Sequence, residues 1–216
     1  MVNITVLGGT GYAGSNIVAV AAARGHQVVS YSRKAPEQPV AGVEYRIGDV
    51  RDDAVLAAAI EGSDVVVSAL SPRGELAPAG TLRGIVAKVA DLASAAGVRL
   101  GVVGGAGSLL VAEGGPTVSE TDGFPDEFKA EAAELASVLD DLRASEPVLD
   151  WFFVSPAGGF GAWAPGEATG TYRLGGDLLL VDENGQSNIS GADFADAFVT
   201  EIEQPTHRRA RFTVAY

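Results

Sequence analysis

The sequence predicts an α/β fold: a doubly wound parallel sheet with helices on both faces and a small substrate-side lobe at the C-terminal end. Three observations carry this. Short apolar runs alternate with stretches of helical periodicity through residue 154, the pattern of a parallel sheet crossed by helices. A glycine-rich turn, Gly8-Gly9-Thr10-Gly11-Tyr12-Ala13-Gly14, separates the first apolar run from the first helical stretch. After Pro156, Gly158, Gly159, Gly161, Gly166, Gly170, Gly175 and Gly176 make the chain loop-rich. A length of 216 residues suits one domain, 1–216, with the lobe over about 156–216.

The elements follow in order. Ile4 to Leu7 is the first strand, and Ser15 to Arg24, Ala- and Val-rich, is a helix ended by Gly25. His26 to Tyr31 is the second strand. After a loop with Pro36 and Pro39, Val43 to Ile47 is the third. Asp52 to Ile60 is a helix with two carboxylates at its positive N-terminal end. Asp64 to Leu70 is a fourth strand, β-branched and buried. Leu82, Ile85, Val86, Val89, Ala93 and Ala96 recur at helical spacing, and Gly97 ends that helix. Val98 to Val103 is the fifth strand. Phe128, Ala132, Leu135, Leu139 and Leu142 form the stripe of a long helix starting near Asp126. Leu149 to Val154 is the sixth strand, stopped by Ser155-Pro156. Tyr172 to Leu174 and Leu178 to Val181 read as a hairpin around Gly175-Gly176. Ser190 and Asp193 form a capping box for a helix to Glu203, and Arg211 to Val214 is the last strand. Sheets of this kind bind ligands outside the carboxyl ends of their strands. The turns after strands one, two, four, five and six are therefore expected to share one crevice.

Composition removes several classes of function. A net charge of −13 makes nucleic acid and anionic membranes poor partners. No apolar stretch approaches the ~18 residues of a membrane span. Met1-Val2-Asn3-Ile4 runs straight into a strand without the basic segment of an export signal, so a cytoplasmic location is expected. The absence of cysteine excludes disulfides, zinc-thiolate sites and cysteine nucleophiles. Two histidines argue against a His-rich metal site, and no metal is expected.

The glycine turn satisfies G-x-G-x-x-G at Gly9, Gly11 and Gly14, between a strand and a helix. Glycine is needed there for a tight turn, for close approach of backbone to a pyrophosphate, and for helix–strand packing. The helix N-terminus adds N–H donors and a positive dipole end. This is a Rossmann-type dinucleotide site. NAD-selective sites place a carboxylate at the end of the second strand for the ribose 2′-OH. Here the strand ends Ser32-Arg33-Lys34. Arg33 can pair with a 2′-phosphate, or form a solvated basic turn. NADP is favoured, with NAD as the alternative. Asp49, after the third strand, can meet the adenine amino group with help from the next backbone N–H, or serve as a turn aspartate.

Together these residues, with Val67-Ser68-Ala69 and especially Gly104-Gly105-Ala106-Gly107-Ser108, resemble the atypical short-chain dehydrogenase/reductases. Within them the chain is most similar to the NAD(P)H-binding, NADH-flavin reductase-like group related to biliverdin reductase B and flavin reductase. Phe124-Pro125, Lys129, Leu149-Asp150-Trp151, Ser155-Pro156, Ser187-Asn188-Ile189-Ser190 and Phe212-Thr213-Val214 fit the same group. The resemblance implies that Gly8, Gly9, Thr10, Gly11, Tyr12, Ala13 and Gly14 hold the pyrophosphate, and Ser32 and Arg33 the 2′-phosphate. It implies Asp49 and Val50 at adenine, and Ser68, Ala69 and Leu70 along the ribose and pyrophosphate. Gly105 and Ser108 would lie by the nicotinamide, with Ser155, Pro156 and Ala157 at its amide or ribose.

The better-known dehydrogenases of this family use Tyr-x-x-x-Lys, and this chain lacks it: Pro125 stands four residues before Lys129. Lys129 can still reach the nicotinamide ribose, or be a solvated helix lysine. Flavin or quinone reduction remains open, because the cofactor supplies hydride and the protein supplies position. Ser108 and Lys129 are the catalytic candidates, though Ser108 can equally be a loop serine. Phe124, Phe128, Phe160 and Trp163 can stack on a planar substrate or pack the lobe. The expected activity is an NAD(P)H-dependent reductase, monomer or homodimer, acting on flavin, quinone or a similar planar acceptor. The alternative is a non-catalytic NADP(H)-sensing regulator; a sugar-nucleotide epimerase fits less well.

Overall fold

Eight strands form one sheet in the order β3-β2-β1-β4-β5-β6-β8-β7. The computed structural model describes residues 1–216. The strands are β1 (Asn3–Leu7), β2 (Gln27–Ser32), β3 (Val43–Ile47), β4 (Val65–Ser68), β5 (Arg99–Val103), β6 (Trp151–Ser155), β7 (Arg173–Gly175) and β8 (Ala210–Ala215). The helices are α1 (Tyr12–Ala23), α2 (Asp53–Ile60), α3 (Thr81–Ala96), α4 (Asp126–Ala144) and α5 (Gly191–Glu203). Every ladder is parallel except β7–β8. Leu7 of β1 lies opposite Tyr31 of β2 on one side and Ser68 of β4 on the other. The strand order reverses between β1 and β4, so the turn after β1 opens at a topological switch point. No helix is long and apolar enough to cross a membrane.

The central strands β4, β5 and β6 are buried at every residue, which explains their near-continuous apolar sequences. Two cores of equal size flank the sheet. One joins β-strand residues such as Val6, Phe152 and Phe212 to α1 and α5. The other joins Leu7, Leu100 and Phe153 to α2, α3 and α4. Phe198 of α5 is wholly buried, with its ring 4.9 Å from Phe152 and 6.1 Å from Phe194.

Three local expectations change. No hairpin forms around Gly175-Gly176. Instead β7 pairs antiparallel with β8, and Leu110 bonds the second segment through Asp177 and Leu179. A free sheet edge and a nearby loop both outcompete a two-strand ribbon, which is marginal on its own. The C-terminal stretch is less separate than a lobe: β7 and β8 are strands of the main sheet, and α5 packs over one of its cores. The capping box is half formed. Ser190 Oγ accepts from the Asp193 N–H at 3.0 Å, while the Asp193 carboxylate accepts from Thr169, Gly170 and Tyr216.

The amino end of the sheet is closed by a buried ion pair. Glu201 Oε1 accepts from Arg99 Nη2 at 2.6 Å, and Oε2 from His207 Nδ1 at 2.7 Å and Thr206 Oγ1 at 2.8 Å. His207, which reads from sequence as a surface residue, stacks on Phe212 with ring centroids 4.2 Å apart. Phe198→Ala is expected to lower stability by about 3–5 kcal/mol, because a large wholly buried ring leaves a cavity between two layers. Urea unfolding measures it; a loss under about 1 kcal/mol would contradict this packing.

Candidate dinucleotide site

The glycine turn is fixed by close approach. Gly8 has φ +85°, and a Cβ there would lie 2.8 Å from the Ala69 carbonyl oxygen. A Cβ on Gly14 would lie 2.9 Å from Gly9 Cα and closer still to the Gly8 carbonyl oxygen. The first turn of α1 is thus pressed onto the turn after β1, and that turn onto the residue after β4. Gly11 differs. A Cβ there would meet only the Gly8 oxygen, at an ordinary 3.4 Å, so packing does not demand glycine. What glycine leaves at Gly11 is a bare surface on the cleft that it lines.

The helix end beside it is also bare. Asp52 caps α2 and Ser190 caps α5. The Glu134 carboxylate accepts from Gly80 and Arg83 at the start of α3, both at 2.8 Å. No side chain caps α1. Its first-turn N–H groups and positive dipole end stand free for an anion. The Tyr12 side chain turns away, its hydroxyl donating to the Pro165 carbonyl at 3.2 Å and its ring packing edge-on to Phe160. Tyr12, Ala13 and Gly14 therefore contribute backbone.

A cleft of about 320 Å³ opens at this point. It brings together Gly8, Thr10, Gly11, Ser32, Arg33, Asp49, Val50, Ala69 and Leu70, all singled out from sequence. Its walls are the turns after β1, β2, β3 and β4. Its charged rim is a network. Arg33 Nη1 donates to Glu75 Oε2 at 2.7 Å, and Arg51 Nη2 donates to the same oxygen at 2.9 Å. Arg51 Nε also donates to both Asp49 oxygens, at 3.0 and 3.1 Å. Hydrogen bonds from the Arg51 side chain, then from its backbone N–H, hold the Asp49 carboxyl down at about 2. Ser32 Oγ donates to the Lys34 carbonyl at 2.7 Å, within its own turn.

The other candidates do not line this cleft. Ser68 is buried at the end of β4. Gly105 and Ser108 follow β5. Ser108 is tied down: Arg211 Nη1 donates to its Oγ at 2.9 Å and to its carbonyl oxygen at 3.1 Å. Arg211, only 3% exposed at its side chain, also pairs with Asp177, which Arg143 reaches at 2.8 Å. Burial pushes the Arg211 guanidinium down, and Asp177 only partly restores it. Burial pushes the Asp177 carboxyl up, but the two arginines outweigh it and hold it below the ordinary range. Lys129 pairs with Asp126 at 2.6 Å on the exposed face of α4. Ser155, Pro156 and Ala157 are buried. The Ser155 hydroxyl has no partner there, an unmet polar group at the carboxyl end of β6. Phe160 packs on Tyr12 and Phe194, whereas Trp163 is 66% exposed. A separate groove of about 350 Å³ between α3 and α4 contains none of these residues.

Sequence reasoning missed Arg211 and three residues that line the cleft: Arg51, Glu75 and Arg73, whose Nε donates to Glu131 at 2.8 Å. Arg51 lies two residues from Asp49, and that spacing was the one available signal.

A family model described as NAD(P)H-binding matches residues 8–205. The chain belongs to that family. The resemblance to atypical short-chain dehydrogenase/reductases agrees with this membership. Three solved structures are similar over their whole length. A provisionally named exported protein from Burkholderia pseudomallei is 43% identical, with TM-score 0.85 and 100% of both chains covered. A provisionally named epimerase from Bacteroides thetaiotaomicron is 31% identical, with TM-score 0.88 over 100% of this chain and 98% of the other. A provisionally named NADH-flavin reductase from Streptococcus pneumoniae is 32% identical, with TM-score 0.83 over 100% and 99%. As an NAD(P)H-binding protein of oxidoreductase type, the chain takes a nicotinamide cofactor.

The two glycines make separable demands. Gly14→Ala is expected to cost about 1–3 kcal/mol by overpacking, and Gly11→Ala to stay within about 0.5 kcal/mol of the parent. Urea unfolding of both distinguishes them; equal losses would contradict the assignment of packing to Gly14 and not to Gly11.

Proposed function

We propose that this chain is an NAD(P)H-dependent reductase that delivers hydride to a flavin, a quinone or a similar planar acceptor, with NADP as the favoured cofactor. The observation that carries it is the uncapped N-terminus of α1 beside the bare surface of Gly11, facing a cleft lined by three arginines. Backbone from Gly8, Gly9, Thr10, Gly11, Tyr12, Ala13 and Gly14 would hold the pyrophosphate. Arg33, beside Ser32, would hold the 2′-phosphate. Asp49 and Val50 would meet adenine, and Ser68, Ala69 and Leu70 the ribose side. Gly105, Ser155, Pro156 and Ala157 would receive the nicotinamide end.

When bound, the reduced dinucleotide supplies the hydride, and a solvent proton completes reduction of the acceptor. Ser108 is the residue we assign to orient the reacting groups. Arg211 occupies a lone pair of its Oγ, which leaves the hydroxyl proton to be donated outward. A guanidinium behind a hydroxyl also strengthens that donation, which favours charge developing on an acceptor. Lys129 would need to leave Asp126 to reach the ribose. Half-buried Phe124 and Phe128 and exposed Trp163 offer faces for a planar ring. Reduced nicotinamide dinucleotide is a cytoplasmic reagent, and we place the activity there.

Mixing the protein with NADPH and FMN, riboflavin or a quinone, and following absorbance of the reduced nicotinamide, is expected to show saturable turnover. Ser108→Ala is expected to lower kcat about tenfold or more. Binding of NADPH without turnover of any planar acceptor would overturn the reductase reading and favour a redox-sensing regulator.

A further inference from the structure

The end of β2 lacks the carboxylate that an NAD-selective site uses, yet the cleft does not lack one. Glu75 stands on a single 3-10 turn, Gly74–Leu76, in the connection after β4. One of its oxygens accepts from both Arg33 and Arg51. It therefore sits between two of the three guanidiniums that line the cleft with the glycine turn. The seat, the hydrogen-bonded network of Arg33, Arg51, Glu75 and Asp49, holds two guanidiniums and two carboxylates and is formally neutral, while Arg73, also in the lining, is paired with Glu131 at 2.8 Å. A 2′-phosphate carries close to two negative charges at neutral pH, so the seated Glu75 carboxylate opposes it and lowers the preference that the arginines give to NADP. With Glu75 withdrawn, the seat gains a net positive charge and two donors suited to phosphate.

Withdrawal is mechanically available. The side chains of Arg33, Arg51 and Glu75 are 60%, 45% and 53% exposed, and ion pairs this open are weakly held. Gly74 and Gly80 bracket the segment with φ of +58° and +80°. The turn need not move far, because only a terminal carboxylate must leave.

We propose that Glu75 is a specificity-determining residue that sets the balance between the two dinucleotides. With NADH it stays seated and its carboxylate accepts from the adenosine ribose hydroxyls. With NADPH it is displaced, and Arg33 and Arg51 take the phosphate in its place. The site thus admits both cofactors, and Glu75 penalises the phosphorylated one. This rests on the dinucleotide reading of the cleft.

Calorimetric titration of the full chain with NADPH and with NADH, for the parent and for Glu75→Gln, Glu75→Ala and Arg51→Met, tests it at one fixed ionic strength. Glu75→Gln and Glu75→Ala are expected to shift the NADPH/NADH affinity ratio toward NADPH by about tenfold. Arg51→Met is expected to weaken NADPH about tenfold more than it weakens NADH. Parent binding of either dinucleotide, with a ratio unchanged within about twofold in both Glu75 variants, overturns the selector role and leaves the dinucleotide site standing. Failure of the parent to bind either dinucleotide overturns both.

Discussion

Contact between the start of α1 and the end of β1 governs the carboxyl end of this molecule. Gly14 rests on the backbone of Gly8 and Gly9, and Gly8 in turn rests on the Ala69 carbonyl at the end of β4. Side chains at these places would force the helix away from the sheet. Without them, α1 enters at the switch point, where β2 and β4 diverge on either side of β1. Two consequences follow from one packing constraint. The helix end faces the cleft without a capping side chain. And α1 runs back along the sheet to join α5 over one of the two cores.

The two ends of the sheet are built on opposite electrostatic terms. At the amino end, Glu201 and Arg99 are both nearly inaccessible, with side-chain exposures of 3% and 9%. Every other contact of the Glu201 carboxylate is a donor from 206–207. A buried pair this well bonded resists loss of either member and holds one geometry. At the carboxyl end, the Arg33–Glu75–Arg51–Asp49 network is half exposed. Pairs of that kind contribute ~0–1 kcal/mol and exchange partners readily. The rigid end is structural, and the exchangeable end borders the cleft. Arg211 lies between these cases: its guanidinium is buried, but its partner Asp177 is open to solvent.

Much of this was legible in the chain, and the limits have a physical cause. Alternating strand and helix periods carry the parallel sheet, because a strand buried on both faces must be apolar throughout. Gly8 and Gly14 were legible because a backbone collision has a one-residue signature. The hairpin at 172–181 was misread because turn residues report local bending and carry no information about the free edge of β8. The Ser190–Asp193 box was half right for the same reason: Asp193 has partners at 169, 170 and 216 that outcompete the local one. Arg33 could be named, but not its partner. Glu75 lies 42 residues away, and Arg211 lies 103 residues from Ser108. Pairings of that length are set by the strand order, which appears only once the sheet is assembled.

The central claim is that a nicotinamide dinucleotide lies on the β1 turn, under the connection that follows β4. Amide hydrogen exchange of the intact chain with and without saturating NADPH tests it most directly. The account predicts slowed exchange at 8–15 and 69–76, with the groove between α3 and α4 unchanged. Protection confined to that groove, or no protection at the glycine turn, would contradict it.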